Sequence, residues 1–531
     1  MNRIFVLIHI TFVLISCNVS TKNEDLSVFR YNSESGITSL DPAFATSQDN
    51  IWAVNQLFNG LVQLDTNLQI QPCIAKSWEI SDSGKIYTFH LRNDVYFHSD
   101  ESLNETQRRV TAYDFKYSFN RIIDPITASP GAWIFNGKVV DNGFAVINDS
   151  TFQITLNEAF APFLGILSMP YCMVVPQEAV EYYGKGFARK PIGTGPFQFF
   201  VWEQDVSLVM HKNPNYFEQI NGEGLPHLDA VQINFLGNKQ MALLQTLKGK
   251  LDMFSGITST SKDVVLDKTG DIQPNLTEKL VLEKKPFLNT EYLAIQVDPE
   301  LVQKPFDNTL FRQAISLAID RNKMIRNLRN GVGTPAAGGF IPIGLPGYHE
   351  SEYSKFDAEA AKRKLKESGY LEHPLPITLT TTKDYLDLCV FIQKSVEDIG
   401  VQCEIEVLPS SELKAQKRNG NKAFFRASWI MDYPDAENYL SCFYSKNFAP
   451  SGPNYTHFKN DAFDKLYEHA LIESDDEKRV LMYQRLDSIL MSEQPIIVLF
   501  YDQSVRLFNK QVTGLVNNPL NIPTIKYANK Q

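Results

Sequence analysis

Beyond its first twenty residues the chain holds no stretch of about 18 consecutive apolar residues, which excludes a membrane-spanning helix in its body. Basic residues number 51 against 61 acidic ones, for a net charge of -10, and they form no Lys/Arg stripe, which argues against nucleic acid as a partner. Only six cysteines occur in 531 residues, with no CxxC and no metal-like spacing. Setting Cys17 aside leaves Cys73, Cys172, Cys389, Cys403 and Cys442, an odd number that speaks against a disulfide scaffold. Nine dispersed histidines make no HxxxH pair and no His/Cys cluster, so direct metal binding is not expected and no cofactor is implied. GxSxG and HExxH are both missing, which removes the commonest serine and zinc hydrolase signatures.

What is present is ordinary globular material, 43% hydrophobic and 21% charged, enough for two or three domains with their own cores. Aromatic content is high at 12%, with 22 Tyr and 35 Phe; such residues build cores and also suit pockets that grip varied organic ligands. At the N-terminus, Arg3 precedes an apolar run from Ile4 to Ile15, the length of a signal-peptide core and too short to span a bilayer. Leu14-Ile15-Ser16-Cys17 closes it and resembles the lipobox of bacterial lipoproteins. The resemblance implies cleavage before Cys17 and a lipid anchor on that residue, at the periplasmic or cell-surface side of a bacterial membrane.

After a polar linker, Asn18 to Asp25, period-two strand signals follow at Tyr87 to Arg92 and Phe152 to Leu156, and the N-terminal part reads as mixed and strand-rich. From about Asn289 the pattern becomes α/β: an amphipathic helix from Phe306-Asp307-Asn308 toward Gly331, then Asp357 as N-cap of a helix ending at Gly369. A strand at Ile377 to Thr381, a helix to Gly400 and a strand at Val401 to Leu408 come next. Such alternation implies mainly parallel strands with crossover helices. Cys389 and Cys403 both read as core residues, with a bridge between them as an outside alternative. A further strand, Ala423 to Trp429, runs into Met431-Asp432-Tyr433-Pro434-Asp435, and the carboxyl end of such a strand is a place to look for a ligand.

Several ordered segments together resemble the extracellular solute-binding proteins of peptide-type ABC importers. They are Thr38-Ser39-Leu40-Asp41-Pro42, Leu57-Phe58-Asn59-Gly60-Leu61, Ile74-Ala75-Lys76-Ser77-Trp78-Glu79, Val110 to Phe115, Asp124 to Pro130, Gly193-Thr194-Gly195-Pro196-Phe197, and Phe311-Arg312-Gln313-Ala314 through Arg321. The resemblance covers nearly the whole mature chain. It implies an α/β two-lobed periplasmic-binding-protein fold of type II, the three-subdomain cluster C form, with a ligand cleft between the lobes. By analogy the chain crosses between lobes near Asn289 and Asp502. Residues 18–52, 184–288 and 502–531 then form lobe I, 53–183 its extra subdomain and 289–501 lobe II. A monomer that hands its solute to membrane permease subunits, with no chemistry of its own, is implied.

The binding residues come partly from physics. A carboxylate at Asp432, closing a hydrophobic strand, is costly to enclose without a cation, and a ligand ammonium group would supply one. In the resembling peptide binders the aspartate of a Trp-x-x-Asp-Tyr pattern takes the peptide's α-ammonium group, and Trp429 to Tyr433 reproduces it; a capping role for Asp432, with Asn438 downstream, is the alternative. Trp429 would wall a side-chain pocket, or else sit in the core. Arg426 matches an arginine that reaches a ligand carboxylate, although strand alternation sets residues 426 and 429 on opposite faces and Arg426 is equally suited to pair with a protein acid. Main chain at Ser428 and Ile430 would bond an extended peptide. Ala45 to Gln48 and Tyr501 are carried over from the resemblance as ligand contacts. Where the best-known oligopeptide binder has a histidine, this chain has Asp384-Tyr385-Leu386, which leaves peptide length open.

Short peptides are therefore the expected ligand. The same fold binding a metal chelate, haem, a sugar or an opine is the first alternative. A surface hydrolase using Asp432 and Asp435 is the second, although that spacing around a proline is more often turn chemistry.

Overall fold

The computed structural model describes residues 26–103, 107–257 and 261–531. The lipobox and Cys17 lie outside them. Among the described residues no helix is long and apolar enough to cross a membrane.

One mixed sheet of eleven strands runs through both lobes, ten in a single path and the eleventh, Thr334–Pro335, paired beside the strand Ile496–Asn509. In lobe II its order is Cys403–Val407, Ile377–Thr381, Phe424–Ile430; then come two long strands, Leu280–Ile295 and Ile496–Asn509; in lobe I it continues with Met253–Ser255, Val28–Asn32, Ala230–Asn234, Ser207–Lys212 and Phe197–Glu203. The two long strands are antiparallel neighbours and belong to both halves: Leu280 to Pro286 pairs with residues 503–509, and Thr290 to Ala294 pairs with residues 496–501. Between these segments the ladder breaks, and residues 287–289 of the first strand face Asp502 alone. Pro286, which has no N–H to donate, stands at the edge of the break.

The extra subdomain is a four-stranded antiparallel sheet, Ala75–Ser81, Ile86–Leu91, Thr151–Leu156 and Val139–Asn148, covered by the helix Ala112–Ile123. Phe89, Phe115, Phe119, Phe144 and Phe152 are all buried there, and much of the aromatic excess is spent on this packing. The glycines of the 193–197 segment have a steric reason. A Cβ at Gly193 would lie 2.0 Å from the Leu57 carbonyl oxygen, and one at Gly195 would lie 2.5 Å from that of Gln56. Only bare backbone can approach the end of the helix Gln48–Leu57 this closely.

Lobe II carries the expected helices. Asp357 accepts a hydrogen bond from Ala360 N and caps Ala358–Glu367, and Gly369 follows in a left-handed conformation. Two expectations are corrected. The strands of lobe II are mixed: Ile377–Thr381 is parallel to its two neighbours, whereas Phe424–Ile430 and the long strands pair antiparallel, because the latter enter from the other lobe rather than through crossover helices. The helix expected from Asn308 to Gly331 is two, Thr309–Ala318 and Arg321–Arg329, since Asp320 caps a new start by accepting from Lys323 N. Cys389 and Cys403 are core residues as read from the sequence, free buried thiols without the alternative bridge, with burial pushing the pKa of Cys389 up to about 11 and that of Cys403 up to about 12.

Candidate functional site

Between the lobes lies a cavity of about 1090 Å³, just above the usual range for ligand pockets. Sheet register decides which residues reach it. Ser428, Glu291 and Phe500 stand side by side on three neighbouring strands, and Ile430 pairs with Asn289 near Asp502. Ser428, Phe500, Ile430, Asn289 and Asp502 all line the cavity. The row between them, Trp429, Thr290 and Tyr501, points to the opposite face, as period-two alternation requires. Lobe I contributes Gln48, Asp49 and Trp52 from a helix whose N-cap, Ser47, accepts from Asn50 N at 3.3 Å.

Asp432 sits just past the end of the strand Phe424–Ile430, beyond the residues that line this cavity, and its side chain is exposed. The surrounding walls nonetheless exclude enough water to raise its pKa above the ordinary aspartate value. One residue positions it: buried Asn438 accepts from Asp432 N at 3.1 Å and donates to Asp432 Oδ2 at 3.3 Å. The same Asn438 Oδ1 accepts from Trp429 Nε1 at 3.1 Å, so strand end, tryptophan and carboxylate are locked by one amide. Only Asn438 opposes the effect of burial on Asp432; no described Lys or Arg does. Across from it the extra subdomain closes over the loop: Tyr171 feels the Asp432 charge, Trp133 lies 6.3 Å from Tyr433, and a Cβ on Gly165 would sit 3.3 Å from Pro434.

Arg426 shares the Ser428 and Ile430 face, yet its guanidinium is taken. Nε and Nη2 both donate to Glu291, the latter at 2.6 Å, and its other side stacks 3.2 Å from the Tyr385 ring centroid. Of its two expected roles, pairing with a protein acid is the one present here. Tyr501 is corrected as a ligand contact, because its hydroxyl donates to Gly339 O at 2.8 Å inside the lobe II core and the ring is only 3% exposed. Ala45 is corrected likewise: it is buried in the lobe I core, and its N–H donates to Pro42 O, which leaves Ser47 and Gln48 as the members of that segment on the cavity. Trp429 is half-buried against the lobe II core on the face away from the cavity.

Sequence reasoning passed over the charged set at the strand break. Arg329 Nη2 donates to Asp502 Oδ1 at 2.6 Å, and Asn289 Nδ2 donates to Asp502 Oδ2 at 3.2 Å. Arg329 also stacks on Phe500 at 4.4 Å, and all four residues line the cavity. A basic residue in the last turn of Arg321–Arg329 was the one local signal.

The fold does gather one serine, histidine and aspartate: Ser488 Oγ is 3.0 Å from His349 Nε2, and His349 Nδ1 is 3.7 Å from Asp487 Oδ2. Ser488 donates its proton to Gln484 O at 2.8 Å, the Asp–His separation exceeds a hydrogen bond, and none of the three lines the cavity. The trio braces the segment 339–349: Asp487 accepts from Phe340 N at 2.8 Å.

Two lobes joined by paired long strands, a cleft at the joint and a strand end facing it define a hinged binding protein. The family model for bacterial extracellular solute-binding proteins, family 5, matches residues 69–451, and the chain belongs to that family. It is 26% identical over 492 residues to the glutathione-binding protein GsiB of Salmonella typhimurium, spanning 90% of each chain. Among solved structures it is similar to the periplasmic binding protein DppA of Helicobacter pylori in complex with peptide STSA, at 28% identity, TM-score 0.76 and coverage of 95% and 97%. The fold is also that of a dipeptide-binding protein from Pseudoalteromonas sp. SM9913 in complex with Met-Leu, at 21% identity, TM-score 0.78 and coverage of 95% and 100%.

Proposed function

We propose that this protein captures short peptides by hinge closure and delivers them to the permease of an ABC importer, without chemistry of its own. The observation that carries this reading is Asp432: a carboxylate bonded to Asn438, its pKa raised by the surrounding walls and with no cation beside it among the described residues, at the end of a strand whose Ser428 and Ile430 line the cleft. A peptide ammonium group supplies the missing charge, and extended main chain can bond the strand. The glutathione-binding relative and the STSA complex of the 28% identical structure support a peptide ligand. Residues 18–52, 184–288 and 502–531 would move as lobe I with 53–183 attached, and 289–501 as lobe II. A lipid on Cys17 would hold the monomer at the periplasmic or outer face of the membrane.

Closure follows from differential affinity: a ligand touching both lobes favours the state in which both touch it. Native mass spectrometry of the protein cut after Cys17 tests the reading. A ladder of adducts that sequence as di- to pentapeptides is expected; one non-peptide mass would overturn the ligand and leave the fold.

A further inference from the structure

Behind the lobe I wall of the cleft, donors without acceptors gather around one indole. Arg506 is 0% exposed, on the second long strand, and its Nη2 donates to Asn521 O at 2.9 Å and Asn521 Oδ1 at 2.6 Å. Its Nε and Nη1 have no partner among the described residues. The guanidinium lies 4.9 Å from the ring centroid of Trp52, whose own Nε1 is buried and unpartnered. Tyr31 packs on the same indole at 6.0 Å, and its buried hydroxyl is unpartnered too. Glu283 stands opposite Arg506 in the ladder and Asp49 lies near Tyr31, but neither forms an ion pair with the guanidinium; Asp49 is drawn toward Ser33 and Lys239.

Four donor atoms on three side chains, one of them a fully buried cation with no direct ion pair among the described residues, are costly unless an acceptor satisfies them. Water would meet the hydrogen bonds and leave the guanidinium without a contacting counter-charge, Glu283 acting only from across the ladder; an anion meets both demands. Trp52 and Asn521 line the cavity while Arg506 does not, so the donors sit one layer beneath the wall, where a small ion fits the burial better than the end of a peptide. We propose that Arg506, Tyr31 and Trp52 form a buried site for one small monovalent anion of halide size, which fixes the Trp52 wall to the second long strand. The site does not depend on what the cleft binds.

Two measurements on the full mature chain decide it. Crystals grown in sodium bromide should show an anomalous peak within hydrogen-bonding distance of Arg506 Nε or Nη1; density there without anomalous signal overturns the proposal. At constant ionic strength, replacing gluconate by chloride should raise the melting temperature by about 2 °C or more. Arg506→Gln should abolish that rise while retaining a cooperative transition. A bromide peak with no chloride dependence in solution means binding at crystal concentration only and counts against the site. Because both wild-type measurements stand alone, a variant that fails to fold does not protect the proposal.

Discussion

Asn289 donates its side-chain amide to Asp502 at 3.2 Å, at the longer of the two breaks in register between the long strands shared by the lobes. The bond ties the strands where regular pairing does not, and Arg329 completes it from lobe II. Asp502→Ala leaves a partly buried guanidinium and an amide without their acceptor, an expected loss of about 1–3 kcal/mol in stability. Scattering or inter-lobe fluorescence transfer should report a broader spread of lobe separations in this variant than in wild type. An unchanged distribution would remove the joint from the hinge.

Asp432→Asn keeps the shape and removes the charge. Peptide affinity should fall by about 2–5 kcal/mol by titration calorimetry, the range for losing one partner of a buried hydrogen-bonded ion pair. Asn438→Ala should weaken binding less, because it loosens the carboxylate without neutralising it. Equal affinity in Asp432→Asn and wild type would sink the ammonium assignment.

Acid should release peptide early. Burial raises the Asp432 pKa in the unliganded protein, and only the ionised form attracts an ammonium group. As pH falls through that raised value the carboxyl takes up a proton and affinity drops, so the loss begins at a higher pH than an ordinary aspartate would give. Asp432→Asn should flatten this limb of the profile, and a profile of the same shape in both proteins would assign the release to other groups.

Glu291 and Arg426 should behave as a unit. Glu291→Gln or Arg426→Met alone strands a charge in the sheet and should cost about 3–5 kcal/mol. The double replacement should cost much less than the sum, which a double-mutant cycle in denaturant unfolding measures directly. Additive losses would show that the two side chains do not depend on each other.

Asp487 predicts a pH dependence of stability. Burial pushes its pKa up to about 6 in the folded protein. Its folded value lies above its unfolded one, so the folded state holds the proton more tightly and its contribution is full below about pH 4. That contribution is lost as pH rises from about 4 to 6, and Asp487→Asn should remove this slope from the pH dependence of the melting temperature. A slope of the same size in the variant would place its origin elsewhere.

Much of the fold was legible because it rests on local chemistry: the Asp357 cap, the glycine after Ala358–Glu367, the alternation of Phe424–Ile430 and the ordered family segments. Period two also divides Arg426, Ser428 and Ile430 from Trp429. The partners were not legible. Glu291 lies 135 residues from Arg426, and Asp502 lies 173 from Arg329; no local pattern encodes such pairings. Tyr501 and Ala45 sit in segments that border the cleft, and their facing depends on register and on Gly339 and Pro42 coming within reach.

The chain by itself determined the family, the strand that carries the candidate site and the aspartate at its end, because helix caps, strand periodicity and turn residues act between near neighbours. Tertiary structure alone decided which charges are spent. Arg426 is neutralised by Glu291 and Asp502 is held by Arg329, while Asp432 is left with an amide and, among the described residues, no cation, since burial and long-range register, not residue type, set which partner a charged side chain can reach.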